Sequence, residues 1–133
     1  MAPFPVPPSP TDLATRRLAL RAIMDGRGLD AVILSAPRSL SHYAGVTPGA
    51  GRGPLFVVTA RDARLVEPGN RAGDGAMDMW GRAAALLPAG CALGYEGQAI
   101  GDGALETLER AARPRRMLCI SADVARQVGA ERA

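Results

Sequence analysis

Residues 28–46 read GLDAVILSAPRSLSHYAGV, and this stretch decides the fold. Within it, residues 30–34, Asp-Ala-Val-Ile-Leu, carry a short apolar run of the kind that forms a buried strand. Pro37 stands in the first turn of the segment that follows, where a helix tolerates proline best, and Gly45 is placed to end that helix. A strand that passes directly into a helix is the opening of an α/β unit.

Continued outward, the same periodicity predicts helices that alternate with strands. Upstream, Thr11 is a candidate N-cap for a helix over 12–26, stopped by Gly26 and Gly28. Its apolar stripe consists of Leu13, Leu18, Leu20, Ile23 and Met24. Downstream, we predict strands at 55–59, 64–67, 91–96 and 117–120, and helices at 77–87, 102–112 and 121–128. A hairpin turn at 60–63 makes the second and third strands antiparallel, so the predicted sheet is mixed.

Length and composition bound the class of protein. The chain has 133 residues, of which 47% are hydrophobic and 22% charged, a balance typical of one globular domain. Residues 1–10 hold five of the eleven prolines and no basic segment. We therefore expect a flexible proline-rich arm over 1–11, not a secretory signal, and one domain over 12–133. No apolar run approaches the ~20 residues of a membrane span, so we expect a cytoplasmic protein with no membrane partner.

The charged residues exclude several kinds of site. All 16 basic residues are arginine, and the net charge is +3. Without lysine there is no Walker A loop, no Schiff base and no lysine general base. The arginines are spread along the chain, and only 4% of the residues are aromatic, so stacking platforms for bases are scarce. We expect no nucleic-acid partner.

Two motifs suggest chemistry that their context does not support. The glycines of residues 49–53 resemble a phosphate loop, but they precede a predicted strand instead of a helix N-terminus. His42 lies near Ser39 in the sequence, and with Asp30 it could be imagined as a catalytic triad. Neighbours on one short helix rarely have that geometry, so we favour a helix-end histidine that is hydrogen-bonded to backbone.

The cysteines and one glutamate are interpreted structurally. Cys91 and Cys119 both fall on strands that we predict to be buried, and without CxxC spacing we expect small hydrophobic residues and no redox role. Glu96 ends another buried strand, where a charge requires a partner, and we expect that partner to be an arginine.

Three stretches, taken in order, resemble the N-terminal domain of the creatinase/prolidase/aminopeptidase P family. Residues 28–46 are similar, without a gap, to the family pattern G-L-D-A, a hydrophobic run, then S-x-P-x-N-I-x-Y-L-T-G-F. Residues 55–59 with 64–68 resemble the hairpin that follows, and residues 93–96 resemble the family's I-G-V-E strand. The resemblance extends over roughly residues 12–128. Ser39 stands where the family usually has Asn, and His42 where it usually has Tyr.

This resemblance implies a fold and a role. The fold is a three-layer α/β/α domain, ribonuclease H-like, with a mixed five- or six-stranded sheet. The family's catalytic domain, with its two-metal set of Asp, Asp, His, Glu and Glu, is not in these 133 residues. We therefore expect no enzymatic activity, metal or cofactor in this chain alone. The resemblance implies oligomerisation and active-site shaping, with a homodimer and a metallopeptidase-type catalytic domain, in cis or in trans, as partners.

The resemblance also suggests site residues. In creatinase-like members an arginine in the loop after the Y-x-x-G helix contacts the substrate carboxylate, and Arg52 lies in the matching loop. A solvated loop arginine is the alternative. No residue is assigned as catalytic. The candidate substrate contacts are Arg52, His42 and Tyr43. The residues expected to be structural are Asp30, Gly45 and Glu96.

Other interpretations stay open at this point. The same fold could be an independent small-ligand or regulatory binding module, or, less favoured, a small hydrolase that uses His42. Large apolar groups at Met77, Met79 and Trp80 are candidate dimer contacts, and ordinary core packing is their alternative.

Overall fold

A computed structural model of the chain describes residues 8–46, 53–68, 76–97 and 102–132. Within these ranges the chain forms five α-helices, one π-helix and five strands. The α-helices are α1 (Pro10–Arg27), α2 (Pro37–Ser39), α3 (Ala76–Ala85), α4 (Asp102–Ala112) and α5 (Ser121–Arg132), and α2 continues directly into the π-helix, Leu40–Ala44. The strands are β1 (Ala31–Leu34), β2 (Leu55–Thr59), β3 (Ala63–Val66), β4 (Ala92–Tyr95) and β5 (Arg116–Cys119).

The strands form one mixed sheet in the order β3-β2-β1-β4-β5. β1 is antiparallel to β2 and parallel to β4, with Ile33 opposite Val57 on one side and Tyr95 on the other. β2 and β3 form the antiparallel hairpin, and β4 and β5 are parallel. The predicted α/β class and mixed sheet are confirmed.

Helices cover both faces of the sheet, which gives three layers. On one face, Leu20 and Met24 of α1 and Val124 of α5 pack with the π-helix against alternate residues of β1 and β2. On the other face, Trp80 of α3 and Leu108 of α4 pack against the remaining strand residues. β1 is buried on both faces, as its continuous apolar run predicts.

The first helix differs from its prediction at its start. Ser9, not Thr11, is the N-cap: its side chain accepts a hydrogen bond from the Asp12 amide, and the Asp12 carboxylate accepts one from the Ser9 amide. Pro10 and Thr11, which we placed in the arm, are the first residues of α1. Residues 1–7 of that arm lie outside the described residues. Leu18 is 65% exposed, so its predicted place on the buried stripe is wrong.

Side-chain burial corrects two further expectations. Met79 and Trp80 are buried in the core beneath α3, so neither is available as a dimer contact in this structure. The side chain of Met77 lies outside the described residues. Cys91 is buried as expected, but Cys119, at the end of the edge strand β5, is exposed. An edge strand has only one neighbour to cover it, and its sequence alone does not reveal this position.

Candidate functional site at the carboxyl edge of the sheet

The topology marks one edge of the sheet as the place to look for a site. β1 and β4 are parallel neighbours, and the strands that follow them in the chain, β2 and β5, lie on opposite sides of the pair. The carboxyl ends of β1 and β4 therefore form a topological switch point. Open α/β sheets bind their ligands in the crevice outside such a point.

A buried carboxylate occupies this switch point. Glu96 directly follows β4 and is only 5% exposed. Its Oε1 accepts hydrogen bonds from the Ser35 amide at 2.8 Å and the Ala36 amide at 3.0 Å, and its Oε2 accepts one from Ser39 Oγ at 2.6 Å. The two amides belong to the turn after β1, and Ser39 is the last residue of α2. An internal carboxylate therefore takes the position where a switch-point anion would bind.

The arrangement corrects the partner that we expected for Glu96. Backbone amides and a hydroxyl, and not an arginine, hold its charge among the described residues. Three donors to one carboxylate satisfy a buried charge as well as an ion pair does. Ser39, at the usual Asn position, supplies one of them. We have no sequence signal that would have distinguished this partner set from an arginine.

The π-helix carries two of the candidate residues, and arginines of α1 fix its end. Arg16 Nη1 donates to the carbonyl of His42 at 3.1 Å, and Arg17 Nε donates to the carbonyl of Tyr43 at 2.9 Å. Gly45 ends the π-helix at φ +72°, and a Cβ there would lie 3.1 Å from Leu13 Cδ1. That backbone conformation strains any L side chain, and it gives Gly45 a structural role. Arg16 and Arg17 thus tie α1 to the π-helix.

Tyr43 and His42 lie inward in this structure. Tyr43 has no exposed surface, and its hydroxyl is hydrogen-bonded to the carboxamide oxygen of Gln127 in α5. Gln127 Nε2 in turn donates to the Ala19 carbonyl of α1 at 3.0 Å, so one amide side chain joins three helices. His42 is 8% exposed and packs edge-to-face on Tyr43, with 4.6 Å between ring centroids. Their role as substrate contacts stays a prediction.

A small cleft opens beside Glu96, between α2 and α5. Its void is about 490 Å³, including its open mouth. The lining residues are Ala36, Arg38, Ser39, Glu96, Ser121, Val124, Ala125 and Val128. One wall is thus aliphatic, and the exposed Arg38 supplies the cation. Sequence analysis did not single out Arg38 or α5 as contributors.

The exposed thiol of Cys119 lies at the same edge of the sheet. Its Sγ is 3.5 Å from Ser121 Oγ. Hydrogen bonding to Ser121, first to its hydroxyl and then to its backbone amide, lowers the pKa of this thiol. For Cys91 the direction is opposite, since burial raises the pKa. Only one of the two thiols therefore lies where solvent reaches it.

The triad imagined from Ser39, His42 and Asp30 is not assembled. Ser39 donates its hydroxyl hydrogen to Glu96, and Asp30 precedes the amino end of β1, away from the π-helix. The Asp30 carboxylate accepts from the Ala92 amide at 2.9 Å and from Arg115 at 3.1 Å. It ties the starts of β1 and β4 to β5, which is a structural role. The Ala92 amide, and then Arg115, lower the pKa of Asp30.

Two further observations concern the other expected site features. Arg52 lies outside the described residues. Among the described residues, no three His, Cys, Asp or Glu side chains lie close enough to hold a metal ion, and no helix there has the length and apolarity needed to cross a membrane.

Known structures share this fold. No protein-family model and no curated protein matches the sequence. The creatinase/prolidase N-terminal domain of an X-Pro dipeptidase from Streptococcus pyogenes superposes with a TM-score of 0.67 at 15% identity, over 84% of this chain and 97% of that domain. An Xaa-Pro aminopeptidase structure, also from Streptococcus pyogenes, gives 0.68 at 16% identity over 90% of this chain and 99% of that one.

Longer enzymes match over only part of their length. An Xaa-Pro dipeptidase from Bacillus anthracis gives a TM-score of 0.65 at 14% identity, over 83% of this chain but 34% of that enzyme. The chain therefore spans about a third of that protein. The chain has the creatinase/prolidase N-terminal fold, and the solved structures most like it include such domains from Xaa-Pro peptidases.

Proposed function

We propose that this chain acts as the non-catalytic N-terminal domain of a creatinase or Xaa-Pro peptidase-type metallohydrolase. Its role would be to support oligomerisation, with a homodimer as the simplest assembly, and to shape an active site that a catalytic domain supplies in cis or in trans. We place this assembly in the cytoplasm. One observation carries the proposal: the chain matches 97% of an isolated dipeptidase N-terminal domain and 34% of an entire dipeptidase.

The hydrogen bonds at the carboxyl ends of β1 and β4 support a role without catalysis. At the switch point both carboxylate oxygens of Glu96 accept hydrogen bonds from within the domain, and Ser39 is one of the donors. Two backbone amides hold the other oxygen of this carboxylate, so the serine and the glutamate form an internal network between β4 and the turn after β1. We expect the purified chain to hydrolyse neither Xaa-Pro dipeptides nor creatine, with or without added Mn²⁺, Co²⁺ or Zn²⁺. Turnover that follows the protein through purification would contradict this role.

The partner role is tested by reconstitution. The chain is co-expressed with a creatinase-type catalytic domain from its own genome, and Arg52→Ala is compared with the matched variant Arg110→Ala on the exposed side of α4. If Arg52 contacts a substrate carboxylate, replacing it should raise KM by about tenfold or more while assembly stays intact. That factor corresponds to the loss of one charge-assisted hydrogen bond. Failure of the two chains to associate would reject the partner role. Identical kinetics for both variants would reject the contact between Arg52 and the substrate.

The cleft between α2 and α5 favours one alternative, an independent small-ligand module on the same fold. An aliphatic wall beside Arg38 suits a small molecule with a carboxylate and an apolar side chain. Thermal shift with branched-chain amino acids and dipeptides tests it. The alternative predicts a shift that Arg38→Gln removes, and unchanged melting with all of these compounds would reject it.

A further inference from the structure

The large apolar side chains that the described residues expose gather around one strand, β3. They are Leu18, at 65% exposure, and Leu65 and Leu86, at 37% each. Leu65 belongs to β3 itself. Leu18 lines a surface groove with Ala63 of β3, and Leu86 lines a second groove with Arg64 of β3.

The two grooves lie on opposite faces of the sheet. Ala63 pairs with Val58, which faces the core under α1, whereas Arg64 pairs with Val57, which faces the core under α3. Leu65 is two residues from Ala63 and shares its face. Successive side chains of any strand added beside β3 would therefore enter the two grooves alternately.

The outer edge of β3 offers backbone groups for such a strand. In the described sheet β3 pairs with β2 alone. The Thr59 amide donates to the Asp62 carbonyl at 2.9 Å, and antiparallel ladders alternate, so the backbone groups of Ala63 and Leu65 point away from β2. The carboxylate of Asp62 accepts from the Ala63 amide at 3.0 Å. The Leu65 amide and the carbonyls of Ala63 and Leu65 remain directed outward.

The surroundings of this edge are strongly basic. Arg17, Arg21 and Arg61 line the groove with Leu18, and Arg64 lines the other. Arg17 and Arg21 donate to carbonyls of the protein, but a neutral acceptor leaves their positive charge uncompensated. Among the described residues, the carboxylate of Asp62, whose Oδ2 is 2.9 Å from Arg64 Nε, is the one that lines either groove.

We propose that the β3 edge binds an extended segment of another protein, with alternating acidic and apolar side chains, by strand addition. Strand addition takes its affinity from backbone hydrogen bonds and its specificity from the pockets for alternate side chains. Because alternate side chains enter opposite grooves, the acidic ones would pair with Arg17, Arg21 and Arg61 in the groove that contains Leu18, and the apolar ones would pack on Leu86 in the other groove. A second copy of this chain fits poorly, because pairing β3 with itself would bring Arg61 and Arg64 of both copies together. This edge would bind such a segment whether or not a catalytic domain accompanies the chain.

Fluorescence anisotropy with labelled octapeptides on the whole chain tests the proposal. A capped peptide of alternating Glu and Val should bind at least about tenfold more tightly than the same peptide with Lys in place of Glu, since like charge opposes the arginines. Methylation of alternate peptide amides, on the edge that would face β3, should weaken binding by a similar factor, because it removes the backbone donors. Equal binding of the Glu and Lys peptides, or no effect of methylation, would overturn the proposal.

Two variants of the chain locate the site. Leu65→Glu on β3 and Arg61→Glu in the turn before β3 should each weaken binding of the Glu-Val peptide by about tenfold or more, while Arg110→Glu on α4 should not. Circular dichroism checks that all three variants melt as the wild type does. If Arg110→Glu weakens binding as much as Arg61→Glu, or if a single-stranded oligonucleotide displaces the peptide at equal concentration, the edge is only a general anion surface and the proposal fails.

Discussion

Glu96 shows how one buried carboxylate organises an edge of the sheet. It joins the end of β4 to the turn after β1 through two amides and a hydroxyl, and so holds the two central parallel strands in register at their carboxyl ends. A ligand at this crevice would find the Ser35 and Ala36 amides and the Ser39 hydroxyl already engaged with Glu96. For this reason the residues around Glu96, and not Glu96 itself, are the ones that could contact a ligand.

Replacing Glu96 with Gln should destabilise the domain. The amide group keeps one acceptor but presents N–H donors to groups that also donate, so we expect a loss of about 1–3 kcal/mol in the free energy of unfolding. Urea denaturation measures it. Glu109→Gln, on the exposed side of α4, is the matched control and should change the value by less than about 0.5 kcal/mol. Equal effects of the two variants would mean that the three hydrogen bonds contribute little.

Replacing each of two glycines with alanine should change the stability of the domain in opposite directions. A Cβ on Gly94, in β4, would lie 2.8 Å from Leu29 Cδ1 and 3.2 Å from Val32 Cγ2. Gly94→Ala should therefore cost about 1–3 kcal/mol by overpacking. Gly81, inside α3, has nothing within 4 Å of a Cβ, and Gly81→Ala should instead stabilise the protein by about 0.5–1 kcal/mol. Denaturation midpoints of the two variants that move in the same direction would contradict this account.

At the scale of elements, an ion pair connects the first helix to the last. Arg27, at the end of α1, donates from Nε and Nη2 to the two carboxylate oxygens of Asp123 at 3.0 and 2.9 Å, and Arg126 adds a third contact at 2.9 Å. The Asp123 side chain is only 14% exposed. Asp123 also lies in the first turn of α5, where the helix dipole favours a negative charge.

This pair makes stability depend on pH. Hydrogen bonding with Arg27 lowers the pKa of Asp123 below its ordinary value of 3.8. A carboxyl whose pKa is lower in the folded state contributes stability above the unfolded pKa and loses it as pH falls through the folded pKa. We expect the free energy of unfolding to fall below about pH 4, and Asp123→Asn to be less stable at pH 7 with a shallower acid slope. An acid slope of Asp123→Asn equal to that of the wild type would contradict this account.

The elements also show what local sequence can and cannot predict. β2 and α4 fall where their patterns placed them, since a continuous apolar run, helical apolar spacing and breakers are local properties. Helical periodicity places Leu18 on the apolar stripe of α1, but it does not say how much of that stripe is buried. Glu96 was given the wrong partner, and Cys119 the wrong environment, because hydrogen bonding and strand order depend on residues far away in the chain. The substrate role of Arg52, His42 and Tyr43 came from resemblance alone and still awaits a test.

At the scale of the whole molecule, the central sheet joins two separate apolar cores. Each face of β1 and β2 contributes to a different core, and the helices of one face do not belong to the core of the other. Every strand of the sheet would lose partners if either helical layer detached. Cooperative unfolding is expected when layers share their central element in this way.

We therefore predict one unfolding transition for the two cores. Trp80, the only tryptophan, is buried beneath α3 and reports on one face, while far-UV circular dichroism reports on all helices. The two signals should give the same urea midpoint and the same slope, as two-state domains of this size do. Near-UV circular dichroism of Tyr43, followed in a Tyr95→Phe variant so that it is the only tyrosine, adds a probe for the opposite core. If Trp80 fluorescence changes at a lower urea concentration than the Tyr43 signal, the helices α3 and α4 detach first. The sheet would then be stable with one layer, and the cores would not be coupled.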